Sequence, residues 1–165
     1  MALPAPAVEP AKRKGGFFGF GARRAAVVSA PAASAAATAT TRAGKLAAFS
    51  NALIVEYNSG RYGKGHIAGR IGGLLLRVDE QAEPVDRPLP LEGEALSVSA
   101  LDAGALPEAQ AVPYLASLIA LIHADAEQAF GKGKAKQGYH EARKHALGGD
   151  PILGAADLAG LLPKV

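Results

Sequence analysis

A chain of 165 residues is long enough for one domain with a sizeable core. It contains no cysteine, which excludes disulfides, thiolate catalysis and Cys-ligated metals. The net charge of +3 is unevenly placed: residues 1–45 carry seven Lys or Arg against Glu9, whereas the other 120 residues carry 11 bases and 14 acids. The basic balance therefore belongs to the N-terminal stretch and is no argument for nucleic-acid binding by the rest.

Residues 1–43 read as a disordered basic, Ala/Pro-rich extension. Pro4, Pro6, Pro10 and Pro31 interrupt any helix, and residues 25–41 are small, unpatterned and nearly acid-free. This composition fits an organellar transit peptide as well as a retained flexible arm. Within it, Lys12, Arg13, Lys14, Arg23 and Arg24 flank Phe17, Phe18 and Phe20, a pattern suited to contact with an anionic membrane surface or a nucleic-acid backbone. No stretch approaches the roughly 18–20 apolar residues of a membrane-spanning helix, and no secretory signal is expected.

A helical domain is expected over 44–165, beginning near Thr41–Lys45. Leu46, Phe49, Leu53 and Tyr57 form one helical stripe, ended by Asn58-Ser59-Gly60. Beyond a Tyr-Gly-Lys-Gly turn, Ile67, Ile71, Leu74, Leu75 and Val78 recur at helical spacing, closing a hairpin over 46–78. Gly69, Gly72 and Gly73 each cost ~1 kcal/mol in a helix interior, and are read as allowing a neighbouring helix to approach closely. An acidic, Pro-rich linker follows over 79–112, with a short helix expected at 99–104.

The second hairpin, 113–147, is the clearest element. Pro113 suits a first helical position. Leu115, Leu118, Ile119, Ile122 and Ala126 share one face, as do Ala135, Tyr139, Ala142 and Ala146 after the turn at Gly131-Lys132-Gly133. Ser117 is expected to bond a carbonyl of the preceding turn. Asp150 with Pro151 behind it predicts a last helix over 150–160, docked through Ile152, Leu153, Leu158, Leu161 and Leu162. A shift of 68 residues superposes the hairpins, placing Leu53 on Leu121, Tyr62 on Phe130 and Gly63-Lys64-Gly65 on Gly131-Lys132-Gly133. The fold expected is thus all-α: a four-helix bundle of two helical hairpins plus a short C-terminal helix, with a disordered N-terminal extension.

No catalytic constellation stands out. The segment 60–69 (GRYGKGHIAG) resembles a phosphate-binding turn, but His66 replaces the Ser or Thr of a Walker motif and the glycine spacing misses the dinucleotide fingerprint. His123 with Glu127, and Glu141 with His145, are four apart and could each supply two metal ligands, without a matching ligand pair elsewhere. No serine has the setting of a hydrolytic nucleophile. The expectation is no enzyme, no cofactor and no metal.

The charge pattern suggests docking. Arg61, Lys64, Arg70, Lys132, Lys134, Lys136, Arg143 and Lys144 make the hairpin tips and outer helices basic, while the linker is acidic. The leading expectation is a non-enzymatic interaction, adaptor or assembly protein, cytoplasmic or, after removal of a transit peptide, inside an organelle. Its partner would be another protein or a second copy of itself. Two alternatives are a nucleic-acid-associated protein using the arm and basic tips, and a nucleotide- or phosphoryl-handling protein using the GRYGKG turn.

Overall fold

The computed structural model describes residues 39–67 and 71–165. Helix α1 (Arg42–Tyr57) starts where the sequence requires a cap: the Thr41 hydroxyl accepts the Gly44 N–H at 3.1 Å. Its apolar stripe, Leu46, Phe49, Leu53 and Tyr57, is fully buried. Ala43, Ala47, Ala48 and Ser50 are buried as well, because neighbours pack around α1 on several sides.

The root of α1 is held by two carboxylates. Asp102 Oδ1 accepts the N–H groups of Thr40 at 2.8 Å and Thr41 at 2.6 Å and the Thr41 hydroxyl at 2.8 Å, while Oδ2 accepts the Thr40 hydroxyl at 3.0 Å. The Thr41 N–H is the largest of the effects that hold this carboxyl down at about 2. Glu108 Oε1 accepts the Arg42 N–H at 3.0 Å. Both anions sit at the positive end of the helix dipole. Gly44 makes room for the clamp, since a Cβ there would lie 2.7 Å from Asp102 Oδ1.

Helix α2 (Ile71–Asp79) buries Ile71, Leu74 and Val78. After it, strands β1 (Leu91–Glu92) and β2 (Ala95–Leu96) form a minimal antiparallel pair, and helix α3 (Val98–Asp102) is capped by the Ser97 hydroxyl. Asn51 on α1 ties β2 down, giving its amide N–H to Leu96 O and accepting the Leu96 N–H, each at 3.0 Å. Helix α4 (Glu108–Phe130) and helix α5 (Lys132–Leu147) are separated by Gly131 alone. A 3-10 turn (Pro151–Gly154) follows, capped by Asp150 on the Ile152 N–H at 3.0 Å.

Directions follow from the contacts. The start of α1 meets the start of α4 through Arg42 and Glu108, and Tyr57 at its end meets His123, so α1 and α4 run parallel. Tyr57 bonds Ala135, Phe49 meets Tyr139 ring-to-ring at 5.1 Å, and Lys45 pairs with Asp150 at 2.6 Å; α5 therefore runs back along α1. Helix α2 lies on α4, where the Tyr114 hydroxyl donates to Asp79 Oδ1 at 2.5 Å and Arg77 forks onto Asp125 at 2.6 and 3.0 Å. Among the described residues no helix is long and apolar enough to cross a membrane.

The protein is mostly helical, and several elements differ from their sequence expectation. The second helix of the predicted hairpin over 46–78, described over Ile71–Asp79, packs on α4 with little contact to α1. Ile67 is buried without being helical, which is why its helical spacing misled. Around the Cβ positions of Gly72 and Gly73 no atom lies within 4 Å, so these glycines accommodate no neighbouring helix among the described residues. Helix α4 begins at Glu108, not Pro113; near the helix start, the proline costs a single backbone hydrogen bond. The linker 79–112 therefore ends early, and the short helix within it is 98–102 rather than 99–104. Gly133 lies inside α5, not in the turn. The last helix predicted over 150–160 is a 3-10 turn with further bends, and Leu161 stays exposed while Ile152, Leu153 and Leu158 are buried. The Ser117 hydroxyl does bond Pro113 O, at 3.0 Å.

Candidate functional site

The two Gly-Lys-Gly turns converge at the end of the protein where α1 and α4 finish. Tyr62, on the loop after α1, is the fastening. Its hydroxyl donates to the buried carboxylate Glu56 Oε1 at 2.6 Å, and its carbonyl accepts Lys134 Nζ from α5 at 2.8 Å. Its ring forms a triangle with Tyr57 and Phe130, with centroids 6.1, 6.0 and 6.2 Å apart. Gly65 completes the seam, because a Cβ there would lie 3.1 Å from Phe130 Cε1 and 3.2 Å from Ala129 O.

Beneath the turns lies a second buried network. The Tyr57 hydroxyl donates to Ala135 O at 2.7 Å and contacts His123 Nδ1 at 3.2 Å. Both tyrosines press on the backbone of α5 at Gly138, where a Cβ would lie 2.4 Å from Tyr57 Cε1 and 3.3 Å from Tyr62 Cζ. Burial pushes both phenols well above their ordinary range; for Tyr62 the bond to Glu56 adds to it. Burial pulls His123 below the ordinary imidazole value, with Glu127 opposing.

The surface over this seam is basic. Arg61 pairs with Glu56 at 3.4 Å, and Lys134 is spent on Tyr62 O. Lys64, Lys132 and Lys136 are exposed, and among the described residues none has a hydrogen-bond or ion-pair partner. Gly131 caps α5 without a side-chain acceptor, and no acid occupies its first turn. The positive end of the α5 dipole therefore adds to the lysines rather than being offset. This end can hold an anionic group.

The structure thus brings Arg61 and Lys64, on the loop after α1, to the start of α5, which carries Lys132, Lys134 and Lys136; of these, Lys134 bonds the loop. Arg143 and Lys144 are set apart, about 10 Å or more along α5 from Lys136. Arg70 lies outside the described residues, as do Lys12, Arg13, Lys14, Phe17, Phe18, Phe20, Arg23, Arg24 and the extension to residue 38. The two His–Glu pairs stand at 3.6 Å (His123–Glu127) and 4.0 Å (His145–Glu141). Among the described residues no three His, Asp or Glu side chains gather to hold a metal. Sequence reasoning missed Glu56, Tyr62 and Gly138 as parts of this site. The one available signal was Gly138, a glycine that costs helix propensity inside α5, and Gly72 and Gly73 show that such a glycine does not by itself mark a close neighbour. No family model, curated protein or solved structure matches the chain.

Proposed function

We propose that the protein is a non-enzymatic docking module whose basic end receives an acidic segment of a protein partner. One observation carries this reading: two Gly-Lys-Gly segments, far apart in sequence, meet at one end, and Lys64, Lys132 and, one turn further along α5, Lys136 are uncommitted. Three other cations of the described surface are paired, Arg42 with Asp157, Lys45 with Asp150 and Arg77 with Asp125. The seam behind the lysines is rigidly packed, so binding there need not first order a loop. A short acidic segment is favoured over nucleic acid because residues 46–165 are net acidic, and that repulsion grows with the length and charge of a polyanion.

The test titrates the full chain with a Glu/Asp-rich peptide and, separately, with duplex DNA. The peptide should bind, and Lys132→Glu with Lys136→Glu should weaken it by about tenfold or more through charge reversal. Unchanged peptide affinity would remove the reading. Tighter binding of DNA, with a steep log–log salt slope, would favour the nucleic-acid alternative, in which the arm contributes. Thermal stabilisation by a nucleotide, lost in Gly63→Ala and Lys64→Ala, would favour a nucleotide-handling protein. The compartment proposed is the cytosol; a native N-terminus near residue 40 would instead indicate import into an organelle.

A further inference from the structure

His123 is buried where α1, α4 and α5 meet, and its two ring nitrogens face different anchors. On the Nδ1 side stands the Tyr57 hydroxyl at 3.2 Å. That hydroxyl has one proton, and it goes to Ala135 O at 2.7 Å, an atom that can only accept. Nδ1 must therefore supply the proton of the His123–Tyr57 bond, and neutral His123 is fixed as the Nδ1–H tautomer. Nε2 then bears a lone pair, and it points toward Glu127 Oε1 at 3.6 Å, an acceptor facing an acceptor.

We propose that His123 is a proton-operated latch: neutral, it donates Nδ1–H to Tyr57, which is bonded to the first turn of α5; protonated at Nε2, the ring is drawn toward Glu127 and water, which stretches the Nδ1–H bond to Tyr57 and loosens that turn. The anchors differ in setting. Tyr57 is sealed in the core, whereas the Glu127 side chain is 38% exposed, so an imidazolium gains both an anion and water by moving toward it. From α5 the ring is met by the edge of Tyr139 at 5.4 Å, and burial raises that phenol to about 12, so it remains neutral. From α1 it is met by the Tyr57 hydroxyl, while Glu56 is engaged by Tyr62 and Arg61. Burial is the larger influence on His123 and favours its neutral form in the fold. The stability this provides is present above the ordinary imidazole value near 6.5 and is lost as pH falls below it. The loosened turn carries Lys132 and Lys134, so acidification would loosen the basic end; the latch itself does not depend on what that end binds.

The experiment follows the full chain by NMR from pH 8 to pH 4.5, reading the imidazole nitrogens and the amide-exchange protection of residues 135–139. At pH 8 the His123 signals should show a proton on Nδ1 and none on Nε2. On acidification Nε2 should gain a proton while protection falls at least about tenfold, the equivalent of ~1.4 kcal/mol of local opening. His123→Asn, which keeps a donor near the Nδ1 position and cannot titrate, should hold its protection throughout. An Nε2–H tautomer at pH 8, or equal loss in wild type and variant, would overturn the latch. Should His123→Asn fail to fold, Glu127→Gln decides: a transition moved to lower pH supports the latch, and an unmoved one overturns it.

Discussion

The same tetrapeptide pattern, aromatic-Gly-Lys-Gly, does two different jobs in this protein. At Phe130–Gly133 it joins two long helices through one residue, Gly131 at φ 86° and ψ 157°. The helices fold back closely enough for His123 and Tyr139, eight residues to either side, to pack ring against ring. At Tyr62–Gly65 it is part of a loop, and the helix described after it, Ile71–Asp79, leans on α4 instead of α1. The difference lies in what surrounds the pattern. The second copy is flanked by residues of good helix propensity on both sides. The first is preceded by Asn-Ser-Gly and followed by a glycine-rich stretch, and it is held by the anchors of Tyr62 rather than by its own helices. Similar turns do not make similar hairpins unless the flanking segments can continue as helix.

The sharpest way to break this comparison is to remove the space where the first turn leans on the second hairpin. Gly138→Ala drives a Cβ to 2.4 Å from the buried Tyr57 ring, and should destabilise by about 3 kcal/mol in urea unfolding, the upper part of the overpacking range. An ordinary transition midpoint for this variant would show that the two tyrosines do not depend on the α5 backbone. Next in size is the pair of positive-φ glycines. Gly131→Ala should cost about 1–3 kcal/mol, because the helices on either side prevent relaxation of that backbone. Gly63→Ala, at φ 140° with open space around it, should cost less, since its loop can adjust. Equal losses would mean that both turns are equally constrained.

The smallest effect has the opposite sign. Gly72→Ala and Gly73→Ala meet no atom within 4 Å and lie in α2 without positive φ, so each should stabilise by about 0.5 kcal/mol through helix propensity. Destabilisation would point to a partner that packs on this face. Thermal or urea midpoints of the single variants are sufficient to read it.

Much of this architecture was legible beforehand. The stripes of α1, α4 and α5 were read correctly because burial on one face imposes a 3.6-residue period on the choice of residue, whatever the neighbour is. The cap at Asp150 was legible because it acts within a few residues, and the start of α1 near Thr41 was placed without its cap being named. The errors lie where local signals were ambiguous. Ile67 has helical spacing but is buried from a loop, and Pro113 looks like a helix start although the segment before it is also helical. The basic residues of the candidate site could be named, but their convergence could not, since it depends on Tyr62 crossing to Lys134 and Glu56.

Sequence by itself therefore determined the central stretches of α1, α4 and α5 and that the second hairpin turns at a glycine. It determined these because propensity and amphipathic period are properties of short windows. Only the tertiary structure decided that α1 and α4 run parallel, that α2 rests on α4, and that the two turns share one end. It also decided the role of His123, which in sequence is one polar residue on an apolar helix. In the fold it is bonded to a tyrosine 66 residues away. Such choices rest on contacts between distant residues, and no short window of the chain contains both partners.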